Sequence, residues 1–310
     1  MSALTLRGPD WVTGRLHRRA LWTALVLLVL MAGVTAYLWW RTAAAYNDFT
    51  ATGCVLPHEA PPADGCELPT ERYEAVEDWF FWLLKNLQLL LPVLPAVIGS
   101  FVAGPVIARE LQDGSYRLAW TQSVSPARWL LSRLALPTAW AVLLTAVFTV
   151  VFRLAWSHGP LHTHDIDYYD DFFYLGLGPV LVGYVVFGIG VGTLAAVLTR
   201  ETVTAISVTS TAVVIVGFAF AVKLRGMLLP TTTTAPDEPR PDNSWVVDWR
   251  RVPMPEKPDH VYEPGMTAMQ VDYYPASHFW PLQFIETGIL LALAALAVYG
   301  AFRALRRLHA

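Results

Sequence analysis

Residues 109–133 have the sequence RELQDGSYRLAWTQSVSPARWLLSR and form a polar segment between two hydrophobic stretches of the chain. In this segment Ser125 precedes Pro126, a pair typical of a helix start. A serine side chain caps free backbone N–H groups, and proline fits the first helical position. We therefore predict that a helix begins at this point and continues into the next apolar stretch.

The composition of the chain excludes an ordinary soluble protein. Of its 310 residues 55% are hydrophobic and only 15% are charged, and the mean hydropathy is +0.41. About 20 apolar residues in a helix cross the ~30 Å hydrocarbon core of a bilayer. Six stretches meet this requirement and predict an all-α integral membrane protein. They are Ala20–Trp40, Leu87–Ile107, Leu134–Phe152, Phe172–Leu198, Val203–Val222 and Phe279–Phe302.

The distribution of arginines predicts the orientation of these spans, because short cytoplasmic loops are enriched in Lys and Arg. Twelve arginines precede the first span, lie in alternate loops or follow the sixth span. They are Arg7, Arg15, Arg18, Arg19, Arg109, Arg117, Arg128, Arg133, Arg200, Arg303, Arg306 and Arg307. Both termini and residues 109–133 are therefore expected in the cytoplasm. Residues 41–86 and a large loop between the fifth and sixth helices, 225–278, are expected outside.

The first 19 residues have an amphipathic pattern, which predicts a short helix on the cytoplasmic membrane surface. An unstructured tail is the alternative. A cleavable signal peptide is rejected, since the first apolar stretch is too long and Trp39, Trp40 and Arg41 form an interfacial anchor. Residues 20–310 then make up a single six-helix transmembrane domain.

The two cysteines, Cys54 and Cys66, fall in the same predicted outer loop. An oxidising compartment favours a disulfide between them, and two free thiols are the alternative. The later outer loop, 225–278, is rich in proline but also contains Trp245 and Tyr273. We expect its aromatic part to form a small packed cap.

Two further features lie within the spans. Gly188, Gly192 and Ala196 recur every four residues and favour close helix packing, either at a dimer or gating seam or inside one chain. Glu286 is the one acid or base in the sixth span. It either stabilises the helix N-terminus at headgroup depth or, with Gln283, lies at a cavity or the outer interface.

Catalytic and nucleotide-binding signatures are missing from the sequence. No lysine follows a glycine, so there is no P-loop, and the eight histidines lie outside the spans. His158, His162 and His164 with nearby aspartates suggest metal ligands, but Gly159 and Pro160 interrupt the segment, and we favour a solvated acidic loop with no metal. We expect a non-enzyme without a cofactor of its own, and no nucleic-acid partner.

Three segments resemble a known family. ARELQDGSYRLAWTQSVSPARWLLSRL, residues 108–134, resembles the cytosolic loop of actinobacterial ABC-2 type permease subunits. PASHFWPLQFIET, residues 275–287, and WVTGRLHRRALW, residues 11–22, resemble the start of the last span and the amphipathic start of that family. With the six spans, the resemblance covers nearly the whole chain and implies an ABC-2, type V exporter-like, permease fold.

This resemblance implies that two permease halves pair with two ATP-hydrolysing subunits, and that residues 109–133 form a coupling loop that contacts them. The positions that match the family motif are Glu110, Gly114, Arg117, Trp120, Gln122 and Arg128. Tyr116 and Trp120 lie one helical turn apart and can anchor in a pocket, while Glu110 and Arg117 supply charge at its rim. The long outer loop 225–278 departs from the family's better-characterised exporters.

We therefore expect an exporter permease in the plasma membrane that moves a hydrophobic or amphipathic compound. The energy source is ATP bound by the partner subunit, and the second permease is identical or different. The alternative is a membrane sensor or scaffold with an ABC-2-like body that binds a signal without net transport.

Overall fold

The computed structural model describes residues 9–56, 64–102, 104–116, 125–164, 166–169, 172–234, 241, 244–253 and 267–309. Helices make up most of this part of the chain. They are α1 (Pro9–Ala51), α2 (Glu67–Leu87), α3 (Val93–Val102), α4 (Gly104–Gln112), α5 (Pro126–His158), α6 (Phe173–Gly176), α7 (Val180–Thr199), α8 (Thr202–Ala219) and α9 (Phe279–His309). Helix α8 continues through a π-helical turn, Phe220–Leu224, and a 3₁₀ turn, Arg225–Met227.

Six helical segments in the described part of the chain are long and apolar enough to cross a membrane, which confirms the predicted number. They are Leu25–Ala51, Val93–Gln112, Pro126–His158, Val180–Thr199, Thr202–Met227 and Ala276–Arg307. In two spans the predicted stretch begins before the spanning helix. The second begins at Val93 because Leu87 ends the separate helix α2, and the fourth begins at Val180 because the preceding residues form the short helix α6.

The first span is longer than predicted. Helix α1 is continuous from Pro9 to Ala51, so the segment that we expected on the membrane surface joins the span without a break. Residues 1–8 lie outside the described part of the chain. The surface position of the N-terminal segment stays a prediction.

Helix α7 lies at the centre of the bundle and packs against α3, α4, α5, α8 and α9. Glycines permit its closest contacts. A Cβ atom added to Gly99 of α3 would lie 2.6 Å from the Cα of Gly188, and one added to Gly192 would lie 2.8 Å from the Gly99 carbonyl oxygen. The stripe of Gly188, Gly192 and Ala196 is therefore buried by helices of the same chain and is not a free seam for a second copy.

The two ends of the bundle differ in structure. At one end, here called the cystine end, the C-terminus of α1 meets α2, and a disulfide joins Cys54 to Cys66, as predicted. The opposite end holds residues 109–116, the start of α5 and the C-terminus of α9, and we call it the basic end.

A small β-sheet follows α8 at the cystine end. Its antiparallel strands, β1 (Thr232–Thr233), β3 (Thr267–Tyr274) and β2 (Trp245–Pro253), lie in that order. Tyr274 is buried, and its hydroxyl donates a hydrogen bond to the Leu229 carbonyl oxygen at 2.8 Å. The predicted cap of the outer loop is thus a sheet that is fixed to the end of α8.

Candidate functional sites at the two ends of the bundle

A buried ion pair connects α8 and α9 at the cystine end. Arg225 donates two hydrogen bonds to Glu286, from Nε to Oε2 at 2.7 Å and from Nη2 to Oε1 at 2.8 Å. The Arg225 side chain is 7% exposed and the Glu286 side chain is fully buried. Tyr184 of α7 donates a third hydrogen bond to Glu286 Oε1 at 2.8 Å. The carboxylate therefore joins three helices.

Aromatic rings cover the guanidinium group of this pair. Its central carbon lies 4.2 Å from the ring centroid of Tyr174 and 5.3 Å from that of Trp245 in β2. A cation over an aromatic face is attracted by the ring quadrupole, and the attraction strengthens where water is excluded. Arg225 is thus held between a carboxylate on one side and two ring faces on the other.

Glu286 is the eighth residue of α9 and is completely buried within the chain. Its place in the first turns of this helix agrees with one of the two expectations, and its depth in the membrane stays a prediction. Glu286 also lies behind the cavity described below, whose wall includes its partners Arg225 and Tyr184. A charged carboxylate inside an apolar bundle needs a compensating cation and hydrogen bonds, and Arg225 and Tyr184 supply them.

Gln283 lies one helical turn before Glu286 and has a positioning role. Its Oε1 accepts a hydrogen bond from the backbone N–H of Val180 at 3.1 Å, and its Nε2 donates one to the Tyr174 carbonyl oxygen at 2.7 Å. It therefore satisfies a free N–H at the start of α7 and is also bound to the short helix α6. This buried amide fixes the turn that places Tyr174 beside Arg225.

A cavity of about 300 Å³ lies next to the ion pair. Its walls come from the start of α3, from α6, α7 and α8, and from β2. Most of the lining is apolar, and the one charged lining residue among those the structure describes is Arg225. The lining residues from α8 and its π turn are apolar: Val213, Val214, Gly217, Phe218 and Ala221. Apolar walls with a few convergent polar groups are typical of a small-molecule site.

A second ion pair lies at the basic end and connects α4 with α5. Glu110 accepts hydrogen bonds from Arg133 Nε at 3.2 Å and from Trp129 Nε1 at 3.1 Å, and its Oε1 lies 2.8 Å from Arg133 Nη2. The side chains of Glu110 and Arg133 are 19% and 14% exposed. We expected Glu110 to present charge at the rim of a partner's pocket, but its carboxylate is engaged within the chain.

The remaining residues of the predicted coupling loop fall into two groups. Gly114 follows the end of α4 with φ +71°, a left-handed conformation that favours glycine and turns the chain. Tyr116 packs against the cluster that includes Leu111 and Trp129. Arg117, Trp120 and Gln122 lie outside the described residues.

The start of α5 agrees with the sequence prediction. The Ser125 hydroxyl accepts a hydrogen bond from the Arg128 backbone N–H at 3.3 Å, and Pro126 is the first helical residue. Arg128 lies in the first turn of this helix. The segment 109–133 thus begins and ends on helices that the Glu110 side chain joins.

The histidines of the outer loop pack against α1 and α2. His162 stacks on Tyr46 with ring centroids 3.8 Å apart, and His164 stacks on Phe81 at 4.2 Å. Among the described residues, no group of three or more His, Cys, Asp or Glu side chains could hold a metal ion. Asp165, Asp170 and Asp171 lie outside the described residues.

The buried carboxylate of Glu77 organises this loop. Its Oε1 accepts hydrogen bonds from the backbone N–H groups of His162 and Thr163 at 2.9 and 2.8 Å. Burial raises the pKa of the Glu77 carboxyl, but interactions with Tyr73 and these backbone groups outweigh burial and keep the pKa below its usual value. Glu77 is therefore ionised at neutral pH, and its carboxylate holds the loop through these hydrogen bonds.

The sequence analysis missed the main partner of Glu286. Arg225 was assigned to the start of the outer loop, whereas α8 continues through π and 3₁₀ turns and places Arg225 inside the bundle. Two features of the sequence indicate this pair. Arg225 follows the fifth apolar span closely, and Glu286 is the single acid of the sixth span. For the second ion pair, the signal in the sequence is that Glu110 and Arg133 lie in the same polar segment.

Together, these features define a multi-pass helical membrane protein with a cavity inside its bundle. The family model described as ABC-2 membrane transporter related matches residues 25–225, and the chain belongs to this family. Membership assigns it a permease-like role as a membrane component of a transporter. The match includes residues 109–133 and ends at Arg225, so Glu286 lies beyond it. No curated protein and no solved structure matches the chain significantly.

Proposed function

We propose that this protein is the permease subunit of an ATP-driven exporter in the plasma membrane, of the kind found in actinobacteria. It pairs with a second permease subunit and with separate ATP-hydrolysing subunits, and it moves a hydrophobic or amphipathic compound. Family membership supports the transport role. The sequence has no lysine after a glycine and hence no P-loop, which supports the assignment of ATP binding to a partner.

Two features support an orientation with both termini in the cytoplasm. The predicted cytoplasmic loops carry most of the arginines that lie near the spans. The disulfide between Cys54 and Cys66 lies at the cystine end, and disulfides persist in oxidising compartments outside the cytoplasm. On this orientation, the basic end with residues 109–133 faces the ATP-hydrolysing subunit.

The observation that carries the proposal is the Glu110 ion pair. Glu110 on α4 binds Arg133 and Trp129 on α5, so a displacement of the intervening segment acts on two spanning helices together. α4 also packs against the central helix α7. Alternating access requires that a partner's movement reach the cavity through packed elements of this kind.

Affinity purification of the full chain from its native membrane tests the partner assignment. We expect an ATP-hydrolysing subunit to copurify, together with a second permease. A complex that contains neither would contradict the proposed exporter.

Reconstitution of the purified complex in vesicles tests the coupling. We expect Glu110→Gln to reduce the effect of the permease on ATP hydrolysis about tenfold, which corresponds to ~1.4 kcal/mol of lost coupling. Glu201→Gln is the matched control, because Glu201 is an exposed acid at the start of α8 and lies outside residues 109–133. Equal activity of Glu110→Gln and the unsubstituted complex would contradict a coupling role.

A sensor or scaffold without net transport is the second candidate. The feature that favours it is the sheet at the cystine end, whose strand β2 is an edge strand with the exposed side chains Val247 and Trp249. Such an edge can bind an extended peptide. ATP-dependent flux into inverted vesicles supports the exporter, while peptide binding without flux supports the sensor.

A further inference from the structure

We propose that the cavity beside Arg225 binds the apolar body of an uncharged amphipathic compound. This inference rests on the proposed function, since it names the substrate class that the exporter takes. The cavity of about 300 Å³ is at the lower end of the ~300–1,000 Å³ range of small-molecule sites. It accommodates a small molecule or one segment of a longer chain.

The ion pair behind the wall favours an uncharged ligand. Arg225 already binds Glu286 through two hydrogen bonds at 2.7 and 2.8 Å, so the pair has no net charge to offer. An anion in the cavity would compete with Glu286 for the guanidinium group and would lose its hydration. A cation would also lose its hydration and would find no acid in the described lining. Both charged classes therefore bear an uncompensated desolvation cost.

The two tyrosine hydroxyls of the wall are not available to a ligand. Tyr184 donates a hydrogen bond to Glu286 at 2.8 Å. The Tyr174 hydroxyl is buried and interacts with the same carboxylate. The ligand therefore meets a wall whose polar groups are already engaged, which favours an uncharged, apolar group at this position.

The exposure of the cavity wall indicates how the ligand reaches it. Val214 and Phe218 of the spanning helix α8 line the cavity and are 58% and 68% exposed, so the cavity is not closed on this side. In the membrane, the part of this surface that the second permease leaves uncovered meets hydrocarbon, where an uncharged amphipathic compound accumulates. The ligand therefore enters between helices from the bilayer.

Photolabelling of the full chain in its purified complex, in lipid nanodiscs, tests this proposal. The probe is a photoreactive fatty acid methyl ester, and the comparison probes are an alkyl sulfate and an alkyl trimethylammonium compound with the same photoreactive chain. We expect the ester to label residues of α8 around Gly217, and the two charged probes to label them at least about tenfold less.

Two substitutions locate the site. A Cβ added to Gly217 meets only Tyr184 Cε1, at 3.8 Å, so Gly217→Leu fills the cavity without a clash at its Cβ. Gly33→Leu on α1 is the matched control, because nothing lies within 4 Å of the added Cβ. We expect Gly217→Leu to abolish ester labelling of α8 and Gly33→Leu to leave it unchanged.

Equal labelling by the ester and the charged probes, or unchanged labelling in Gly217→Leu, overturns the proposed ligand class. Copurification of the ATP-hydrolysing subunit is measured in the same preparations. Ester labelling at α8 without that subunit contradicts the exporter but leaves the cavity ligand in place. Copurification with charge-independent labelling contradicts the ligand class alone.

Discussion

The two ends of the bundle use the same chemistry in different surroundings. At each end an arginine presents two nitrogens to a glutamate that also binds an aromatic side chain, Tyr184 for Glu286 and Trp129 for Glu110. The Glu286 side chain is fully buried, whereas that of Glu110 is 19% exposed. The two ion pairs therefore consist of the same charged groups and differ in how deeply they are buried.

This difference assigns a different role to each pair. Breaking a buried ion pair leaves a charge without compensation, so that pair holds one arrangement of helices. A partly exposed pair is weakened by water and salt, and its members can exchange partners at a lower cost. The pair at the cystine end therefore fixes the wall of the cavity. The pair at the basic end is suited to respond to a partner subunit.

The largest effect is expected from Arg225→Met. The substitution leaves Glu286 buried without its cation and should lower the free energy of unfolding by about 3–5 kcal/mol. The measurement is denaturant unfolding in detergent micelles. Lys223→Met is the matched control, since Lys223 is exposed two residues earlier in the π turn, and its effect should be below about 0.5 kcal/mol.

The double variant Arg225→Met, Glu286→Gln sharpens this result. It removes both charges, and we expect it to be more stable than Arg225→Met alone. A double variant that loses the sum of the two single effects would show that the uncompensated charge is not the cause.

A smaller effect is expected from Tyr184→Phe. The variant removes the hydrogen bond to Glu286 but keeps the ring, and it should lower the free energy of unfolding by about 1.5 kcal/mol, the value for a hydrogen bond to a charged group. Tyr299→Phe is the control on an exposed ring of α9. Equal stability of the two variants would mean that Tyr184 does not support the carboxylate.

The smaller of the ion-pair effects is expected at the basic end. Glu110→Gln should lower the free energy of unfolding by about 1 kcal/mol, since the pair is only partly buried. The difference from the unsubstituted protein should shrink at high salt. The loss caused by Arg225→Met should not change with salt, and an equal salt response at both ends would contradict the assigned difference in burial.

A third buried carboxylate, that of Glu77, makes the stability of the protein depend on pH. The pKa of Glu77 is lower in the folded protein than its usual value of about 4.3, so its contribution to stability is present at neutral pH. This contribution is lost as the pH falls below about 4.3, through the folded-state pKa. We expect Glu77→Gln to show a weaker loss of stability between neutral and acidic pH in thermal unfolding.

The sequence predicts the features that depend on local pattern. Hydropathy gives the six spans, the Ser125–Pro126 pair gives the start of α5, and two cysteines in one loop allow a single disulfide within the chain. Each of these follows from residues close together in the chain or from a simple count. The same reasoning misplaces the start of the second span, because the hydropathy of Leu87–Leu90 does not show that α2 ends there.

The sequence does not predict the features that depend on tertiary packing. Arg225 and Glu286 are 61 residues apart, and their contact requires that α8 continue past its apolar part. The glycines of α7 pack inside the chain because α3 lies against them, which periodicity cannot distinguish from a dimer seam. The sheet is formed by distant strands in a proline-rich loop whose composition indicates irregular structure.

The most direct test of the account compares Glu286→Gln with Glu110→Gln in two measurements on the same preparations. These are the free energy of unfolding and the dissociation constant for the ATP-hydrolysing subunit. We predict that Glu286→Gln lowers stability by about 3–5 kcal/mol and, where it folds, leaves partner affinity unchanged. Glu110→Gln should lower stability by about 1 kcal/mol and weaken partner binding about tenfold. The reverse pattern, or equal effects in both measurements, would contradict the division of roles between the two ends.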